Sequence, residues 1–592
     1  MEVVLPSGKR SWDKVNYRVV VALAAIVLLR GMSAAQKPVA ELPRTHIDTG
    51  WSQPSGGKTW NAHTTEEFAH SLEQASPGDV IVLEAGAVFT GNFRVPAKSN
   101  PTNKWIYVIS SAYAKLPSPG TRVSPADAAN MPKITTLNAT NAIRFQDGAN
   151  YWRFVGVEVY SSSTFHPSTS APGVNFGYAL VDKADYPGTS NIPDHIFIDR
   201  CYVHGDATHD LQEGVVGNGS NFAVVDSYIS DIHGKGIDTQ AFTSYISPGP
   251  IKLVNNHLEA SGENVMFGGS GRGAFGYVPS DIEVRNNYFY KPLEWVPLSL
   301  NSTYVEKNAF ELKSARRVLF DSNVIENVWQ AGQGGAAFLF TVRTSQSGDV
   351  AVVEDVTVTN NLFKNVVMGF NTLSTDNMCG SPSYPNCKNA GNSARWVVVN
   401  NLITLYDTSI AGGIRAHTGL IAINGGADKP QGVFTFLHDV LLQHNTVVPN
   451  AAQPCWQSIY FALPGGWKRP FPRSGTDNIW ILDNVLCKQP TGDWGFRGKE
   501  ALEVYMGAPS TAPSDLAQRF RGNIMYVPPG DQVQSFPPHN LATGKAFRYS
   551  DPSKGNFDLT EPRFTDTTDG KPPGIDFAAL PKLSQPDSKP EN

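Results

Sequence analysis

Cysteine is scarce in this chain: five in 592 residues, none spaced Cys-x-x-Cys and none set beside histidines at metal-finger spacing. That excludes a zinc-finger framework and a dithiol redox motif. Charge is also scarce. Only 17% of residues are charged, the net charge is −5, and no basic stripe stands out. Few charges argue against a disordered chain, and the missing stripe argues against a nucleic-acid partner. Long apolar runs are missing apart from Val19–Leu29, whose 11 residues are too few to cross a bilayer comfortably. The glycine-rich stretch at Gly268, Gly269, Gly271 and Gly273 is not followed by Gly-Lys-Ser/Thr, so it is no phosphate loop. The chain does have turn formers, 53 Gly and 42 Pro. With 41% hydrophobic residues, that composition fits turn-rich β structure.

The N-terminus has the pattern of an export signal. Lys9, Arg10, Lys14 and Arg18 precede the apolar run, and Ser33-Ala34-Ala35 follows it. The expectation is a signal peptide over 1–35 and no stable membrane span after its cleavage. The mature protein is then secreted, or lies in the periplasm or cell envelope. Cysteine pairing suits that compartment: Cys379 with Cys387, and Cys455 with Cys487, are candidate disulfides, while Cys201 reads as a buried free thiol.

A degenerate strand motif recurs through the middle of the chain. An apolar residue, two variable residues, a small or polar anchor and two more residues form each unit. It reads IDRCYV, VDSYI, VNNHL, VRNNYF, FDSNVI, VTNNLF, VVNNLI, LQHNTV, LDNVL and FRGNIM, with anchors Cys201, Ser227, Asn256, Asn287, Asn323, Asn361, Asn401, Asn445, Asn484 and Asn523. Successive anchors lie 26 to 44 residues apart. A strand and a turn in units of that length predict stacked coils, and excess length in the later coils must leave as loops. Asn tolerates the left-handed conformation, bonds to nearby backbone and can bond coil to coil, so the anchors are read as structural. Upstream, Thr64-x-x-Glu67 is a capping box before a helix with Phe68, Leu72 and Ala75 on one side. It is the natural cover for the open end of a solenoid. The expected organisation is a polar lead-in over 36–63, the solenoid over 64–561, and a partly ordered tail over 562–592.

The order helix, Pro77-Gly78-Asp79, VIVLEAG and then Asn-anchored coils resembles secreted bacterial right-handed parallel β-helix proteins of the pectate-lyase-like superfamily. The resemblance implies an all-β solenoid with an N-terminal capping helix. It does not imply one activity, since that superfamily holds lyases, hydrolases and non-enzymatic fibres.

Alternation of side chains in the strand ahead of each anchor strand selects a candidate surface. With Ile237 and Thr239 inward, Asp238 and Gln240 face out. With Val265 and Phe267 inward, Asn264 and Met266 face out and Glu263 marks the strand edge. In NAFELKS, Glu311 and Lys313 face out, and in AAFLFTVRT, Thr341 and Arg343 face out. Coils about 4.8 Å apart would gather Asp238, Asn264, Glu311, Lys313 and Arg343 into an external stripe about 15 Å long, enough for a few sugar units. These residue types suit β-elimination on a uronate glycan. That reaction needs the carboxylate neutralised, a base for the α-proton and an acid for the leaving oxygen. Lys313 is the candidate base and Arg343 the candidate carboxylate partner. Glu311, Glu263 and Asp238 are candidate Ca²⁺ ligands, while Asn264, Gln240 and the sugar-stacking Trp295 are candidate substrate contacts.

Glu-x-Lys-Ser, with Arg one coil later, also looks like the arrangement in the chondroitinase B/alginate lyase family. Carried over, Lys313 matches that family's base and Arg343 its arginine. The chain departs from the family in having only Glu311 close to the lysine and a longer gap to the arginine. The expected function is thus a secreted, monomeric lyase on a uronate-containing polysaccharide. The alternatives are a glycoside hydrolase using carboxylates such as Asp238 and Glu263, and a non-catalytic carbohydrate-binding or envelope protein. A further polar group, His204, Asp206, His209, Asp210 and Glu213, reads as a solvated turn.

Overall fold

The computed structural model describes residues 36–136, 138, 140–161, 174–177, 192–269, 277–296, 304–343, 351–374, 393–406, 418–424, 437–450, 455–462, 476–506 and 515–582. The export-signal pattern and the pair Cys379 and Cys387 lie outside these residues. Residues 38–592 form one compact unit. None of the described helices is long and apolar enough to cross a membrane.

The strands fall into three long parallel sheets of 14, 12 and 14 strands. Sheet A holds the strands that end at the anchors, sheet B those that follow them, and the 12-stranded sheet C those that precede sheet A. Between the first and last pairings each sheet pairs strands three apart in chain order, so every turn of the chain there lays one strand on each sheet. This is a right-handed parallel β-helix. Its core is one continuous apolar cluster running the length of the solenoid. Within it Phe310, Phe338 and Phe370 occupy one register column, with ring centroids 5.1 Å apart at both steps.

The anchors make a buried hydrogen-bonded ladder. Asn256, Asn287, Asn323, Asn361, Asn401, Asn445, Asn484 and Asn523 each donate from Nδ2 to the Oδ1 of the next coil's asparagine, at 2.9–3.2 Å, and Asn540 receives the last of these bonds. Each Oδ1 also accepts the backbone N–H of the anchor one coil earlier. The left-handed residue is the one before the anchor: Asn255, Asn286, Ser322, Asn360, Asn400, His444 and Asp483 all have φ between 54° and 58°. The turn and the ladder are thus separate jobs given to neighbouring positions. Cys201 extends the ladder, its N–H donating to Ser227 Oγ. It is a buried free thiol whose pKa burial pushes up to about 12. Cys455 and Cys487 are joined in a disulfide with Cα atoms 5.8 Å apart.

The solenoid starts earlier and stops sooner than the repeat suggests. Thr59–Ala62 is already the first strand of sheet A, paired with Val80–Leu83. Helix Thr65–Gln74, closed by the Thr64/Glu67 capping box, buries Phe68 and Leu72 over that first coil against Phe89 and Phe93. At the other end, coil stacking ends with Leu541–Thr543 rather than at Glu561, and an antiparallel hairpin of Arg548–Asp551 and Asn556–Glu561 stands apart from the three sheets. Helix Gly498–Met506 covers sheet C there, with Tyr505 stacked on Phe461 at 5.3 Å.

Both flanking segments run back along the coils. Residues 41–50 cross sheet A: Glu41 and Arg44 donate backbone N–H groups to Asp355 and Asp281, and Ile47, Thr49 and Gly50 accept from Lys252 and Arg153. Residues 568–580 cross the anchor turns onto sheet B. Thr568 and Gly574 bond to Asp483, Ile575 to Thr446 and Asp576 to Asn400, while Ile575 and Leu580 are buried with Val324, Leu362 and Leu402. As far as Lys582, the expected tail is an ordered strap, because it carries the apolar side chains that cover an otherwise exposed sheet face.

Candidate functional site

Register places the candidate residues on the outer side of sheet C. Gln240–Ser244, Glu263–Phe267, Phe310–Leu312 and Ala336–Thr341 are successive strands. Gln240 aligns with Glu263, and Met266 aligns with Glu311. Arg343 lies one coil beyond Lys313, its N–H donating to Lys313 O at 3.0 Å.

A line of charge crosses three coils. Lys307 Nζ contacts Asp238 Oδ2 at 2.6 Å and Glu263 Oε1 at 3.3 Å. Gln240 Nε2 donates to Glu263 Oε2 at 2.6 Å. Glu263 and Glu311 are hydrogen-bonded to each other. Lys313 Nζ lies 3.4 Å from Glu311 Oε1 and 3.1 Å from Met266 Sδ. Glu263 and Glu311 are both buried, and no other donor reaches Glu263 Oε1 or Glu311 Oε2 in hydrogen-bonding geometry. Two buried carboxyls this close disfavour ionising together. Burial and the adjacent Glu263 charge push Glu311 up. Burial opposes ionisation of Glu263 as well, but the hydrogen bond from Glu311 and the ammonium groups of Lys313 and Lys307 hold it well below the usual carboxylate range.

Lys313 owes its place to the glycine pair before it. Gly268 and Gly269 have φ of +77° and +87°, and a Cβ on Gly269 would stand 2.3 Å from Lys313 Cδ. Gly269→Ala is expected to destabilise the protein by about 1–2 kcal/mol from backbone strain alone, and further by displacing Lys313. Gly236→Ala is the control, since φ there is +73° but an added Cβ meets nothing within 4 Å. Equal shifts in denaturation midpoint for the two variants would mean that Gly269 does not hold Lys313.

Three expectations need correction. Asn264 does not face out. It is fully buried, and its Nδ2 donates to Leu258 O at 2.7 Å and Tyr290 O at 2.8 Å. The corner between sheets B and C leaves carbonyls that need a donor, and Asn264 supplies it at the cost of strand alternation. Trp295 is not open to a sugar ring. It is packed with Val296, Trp329, Val367 and Tyr406, beside Tyr304 and His233. Asp238, Glu263 and Glu311 do not fit a Ca²⁺ ion, because the Lys307 ammonium already bridges Asp238 and Glu263 and Lys313 Nζ lies 3.4 Å from Glu311.

Among the described residues one group, His444, Asp483 and Asp569, has ligand atoms within 4.8 Å of one another, as a metal site would. It lies at an anchor turn under the C-terminal strap, away from sheet C. Asp483 there already accepts from Thr568 N, Thr568 Oγ1 and Gln443 Nε2, so hydrogen bonding accounts for the arrangement. The polar turn at His204–Glu213 is likewise divided among separate partners. His204 bonds to Glu158, His209 to Asp206, and the buried Glu213 accepts from Tyr245.

Sequence reasoning missed Lys307, Lys291 and Glu306, which lie outside the strand alternation. Lys291 is buried with Nζ held by the carbonyls of Ala260, Ser261 and Gly262 at 2.6–2.8 Å, the turn that leads into Glu263. Burial lowers its pKa to about 8. Glu306 is buried with neither oxygen hydrogen-bonded, and burial raises it to about 8. A charged pair inside an apolar repeat, Glu306-Lys307 just ahead of NAFELKS, was the signal available. Between about pH 4.5 and 8 the folded protein holds the Glu306 proton that the unfolded chain releases, so rising pH favours unfolding. The slope is about 1.4 kcal/mol per pH unit for one proton. Glu306→Gln removes that titration. Between pH 5.5 and 7.5 its denaturation midpoints are expected to fall less steeply than those of the natural protein, and parallel curves would contradict the buried neutral carboxyl.

A scan against protein-family models finds no match, and a search of curated proteins by sequence finds none either. Solved structures of similar fold include a polysaccharide lyase of family PL6 from Pseudopedobacter saltans, at 14% identity and a TM-score of 0.41, covering 90% of this chain and 100% of that one. An alginate lyase from Paenibacillus sp. str. FPU-7 has 12% identity and a TM-score of 0.31 over 68% of this chain and 97% of its own. The pectate lyase Pel9A has 12% identity and a TM-score of 0.35 over 89% and 97%. The chain is similar to these proteins in fold.

Proposed function

We propose that this protein is a secreted polysaccharide lyase that cleaves a uronate-containing glycan by β-elimination on the outer face of sheet C. One observation carries the reading: Lys313 and Arg343 stand in adjacent coils, joined by the Arg343 N–H to Lys313 O bond, with Lys313 Nζ 3.4 Å from Glu311. The Arg343 guanidinium pairs with the uronate carboxylate and makes the neighbouring C–H more acidic. Lys313, entering the step as a free amine after its ammonium proton has gone to solvent, accepts that proton, the ring C=C forms as the C–O bond to the leaving sugar breaks, and the leaving oxygen takes a proton back from Lys313. Glu263 and Glu311 position Lys313 and do not reach the substrate. Lys307 bridges Asp238 and Glu263, the carboxylates a hydrolase would use, and Glu263 is buried, so the pair is not set as a free acid and base across a sugar.

The test is a screen over pectate, alginate and glycosaminoglycans, following the ultraviolet absorbance of the unsaturated product. New reducing ends without absorbance would indicate a hydrolase, and binding without cleavage a non-catalytic protein. Because the acidic residues do not fit Ca²⁺, activity is expected to survive a chelator. Loss of activity that added Ca²⁺ restores would overturn that assignment. Secretion is tested separately, by whether the chain starting near residue 36 accumulates outside the cytoplasm.

A further inference from the structure

The C-terminal hairpin and strap enclose a cavity of about 580 Å³ against the outer face of sheet B. Its walls are apolar: Leu362 and Leu402 from two successive coils, Phe557 from the hairpin, and Phe577 and Leu580 from the strap. Three lysines line it as well, Lys364, Lys554 and Lys582, and no lining residue is acidic. Lys364 pairs with Glu326 at 2.7 Å and Lys554 with Asp551 at 3.2 Å, both carboxylates lying outside the lining, and Lys582 has no ion pair among the described residues. Its volume falls in the range of about 300–1,000 Å³ usual for small-molecule sites. Water gains little against such walls, while lysine stems lie on apolar surface and keep their ammonium groups at its edge.

We propose that this cavity binds an amphiphilic anion, a molecule with an aliphatic or aryl body and a single carboxylate. The body replaces water on the leucine and phenylalanine side chains, and the carboxylate meets the ammonium groups of Lys364, Lys554 and Lys582. The site is independent of sheet C and of the reaction proposed there.

Calorimetric titration of the full chain with dodecanoate, below its micelle concentration, tests it. One saturable site per chain is expected, with dodecan-1-ol binding at least tenfold more weakly. The triple variant Lys364→Gln, Lys554→Gln, Lys582→Gln alters exposed side chains and should fold, and it is expected to bind dodecanoate at least tenfold more weakly. Ala578→Glu places a carboxylate at an exposed lining position and should have the same effect. Equal binding of the alcohol, or unchanged affinity in both variants, would overturn the proposal. Binding to phosphatidylglycerol vesicles but not to dodecanoate would make the ligand a lipid surface instead. Binding that appears only after deletion of 583–592 would make the chain's own terminus the occupant. Either result rejects the site as proposed.

Discussion

Lys313→Ala is expected to lower the rate of β-elimination by about 10²–10⁴-fold, the usual contribution of a positioned general base, while leaving the fold intact. The structure explains why the two effects separate. Removing a partner from a buried ion pair normally leaves an uncompensated charge, at about 3–5 kcal/mol. Here the charge that would be exposed to that penalty is already covered. Burial and the Glu263 charge push Glu311 toward its neutral form, and Glu263 retains Lys307 at 3.3 Å and Gln240 at 2.6 Å. The variant should therefore melt close to the natural protein and still bind the glycan through Arg343. Arg343→Ala should instead weaken binding and rate together, because the guanidinium both holds the uronate carboxylate in the ground state and stabilises the added negative charge that develops there as the proton leaves. Lyase activity retained in Lys313→Ala would remove Lys313 from the role of base. A large loss of stability would mean that Glu263 and Glu311 are both ionised in the folded protein.

The second large effect concerns the ladder. Asn361→Ala is expected to destabilise the central coils by about 3–5 kcal/mol, since each buried polar group left unsatisfied costs about 1–3 kcal/mol. Asn361 Oδ1 accepts from Asn323 N at 2.8 Å and from Asn323 Nδ2 at 3.2 Å. Its Nδ2 donates to Phe320 O and Asn401 Oδ1. Truncation leaves a backbone N–H and a carbonyl oxygen without these partners inside the stack. Asn360→Gly is the control. It keeps the left-handed turn, which glycine adopts freely, and removes two half-buried bonds, Asn360 Nδ2 to Asp321 and Asn400 Nδ2 to Asn360 Oδ1, so a smaller change of about 1–2 kcal/mol is expected. Because solenoid coils contact only their neighbours, the loss is best read locally, as faster hydrogen exchange over residues 315–328. Protection unchanged by Asn361→Ala would show that apolar stacking holds those coils without the ladder.

Much of the fold could be read from the chain because a solenoid repeats its local code. The apolar-x-x-anchor motif set the strand ending each sheet A segment, and counting from it put Val265, Phe267, Phe310 and Leu312 in the core. The turn residue was harder to place. The anchors looked like left-handed asparagines, yet the positive φ belongs to the residue before them, and composition alone does not separate two adjacent asparagines such as Asn360 and Asn361. Helix Gly498–Met506 was missed because it sits in a long excursion between coils, where the repeat gives no register.

The sequence by itself determined the parallel β-helix, its capping helix and the coil-to-coil register that brings Lys313 next to Arg343. Those follow from nearest-neighbour stacking, which each repeat encodes locally. Only the tertiary structure decided which polar residues face solvent and which carry charge. Asn264 turns inward to serve two carbonyls, Trp295 is packed away, Lys307 takes the place proposed for a cation, and Glu311 is pushed up while Glu263 is held down. Each outcome depends on desolvation and on partners tens of residues away, and neither quantity is written in the spacing of a motif.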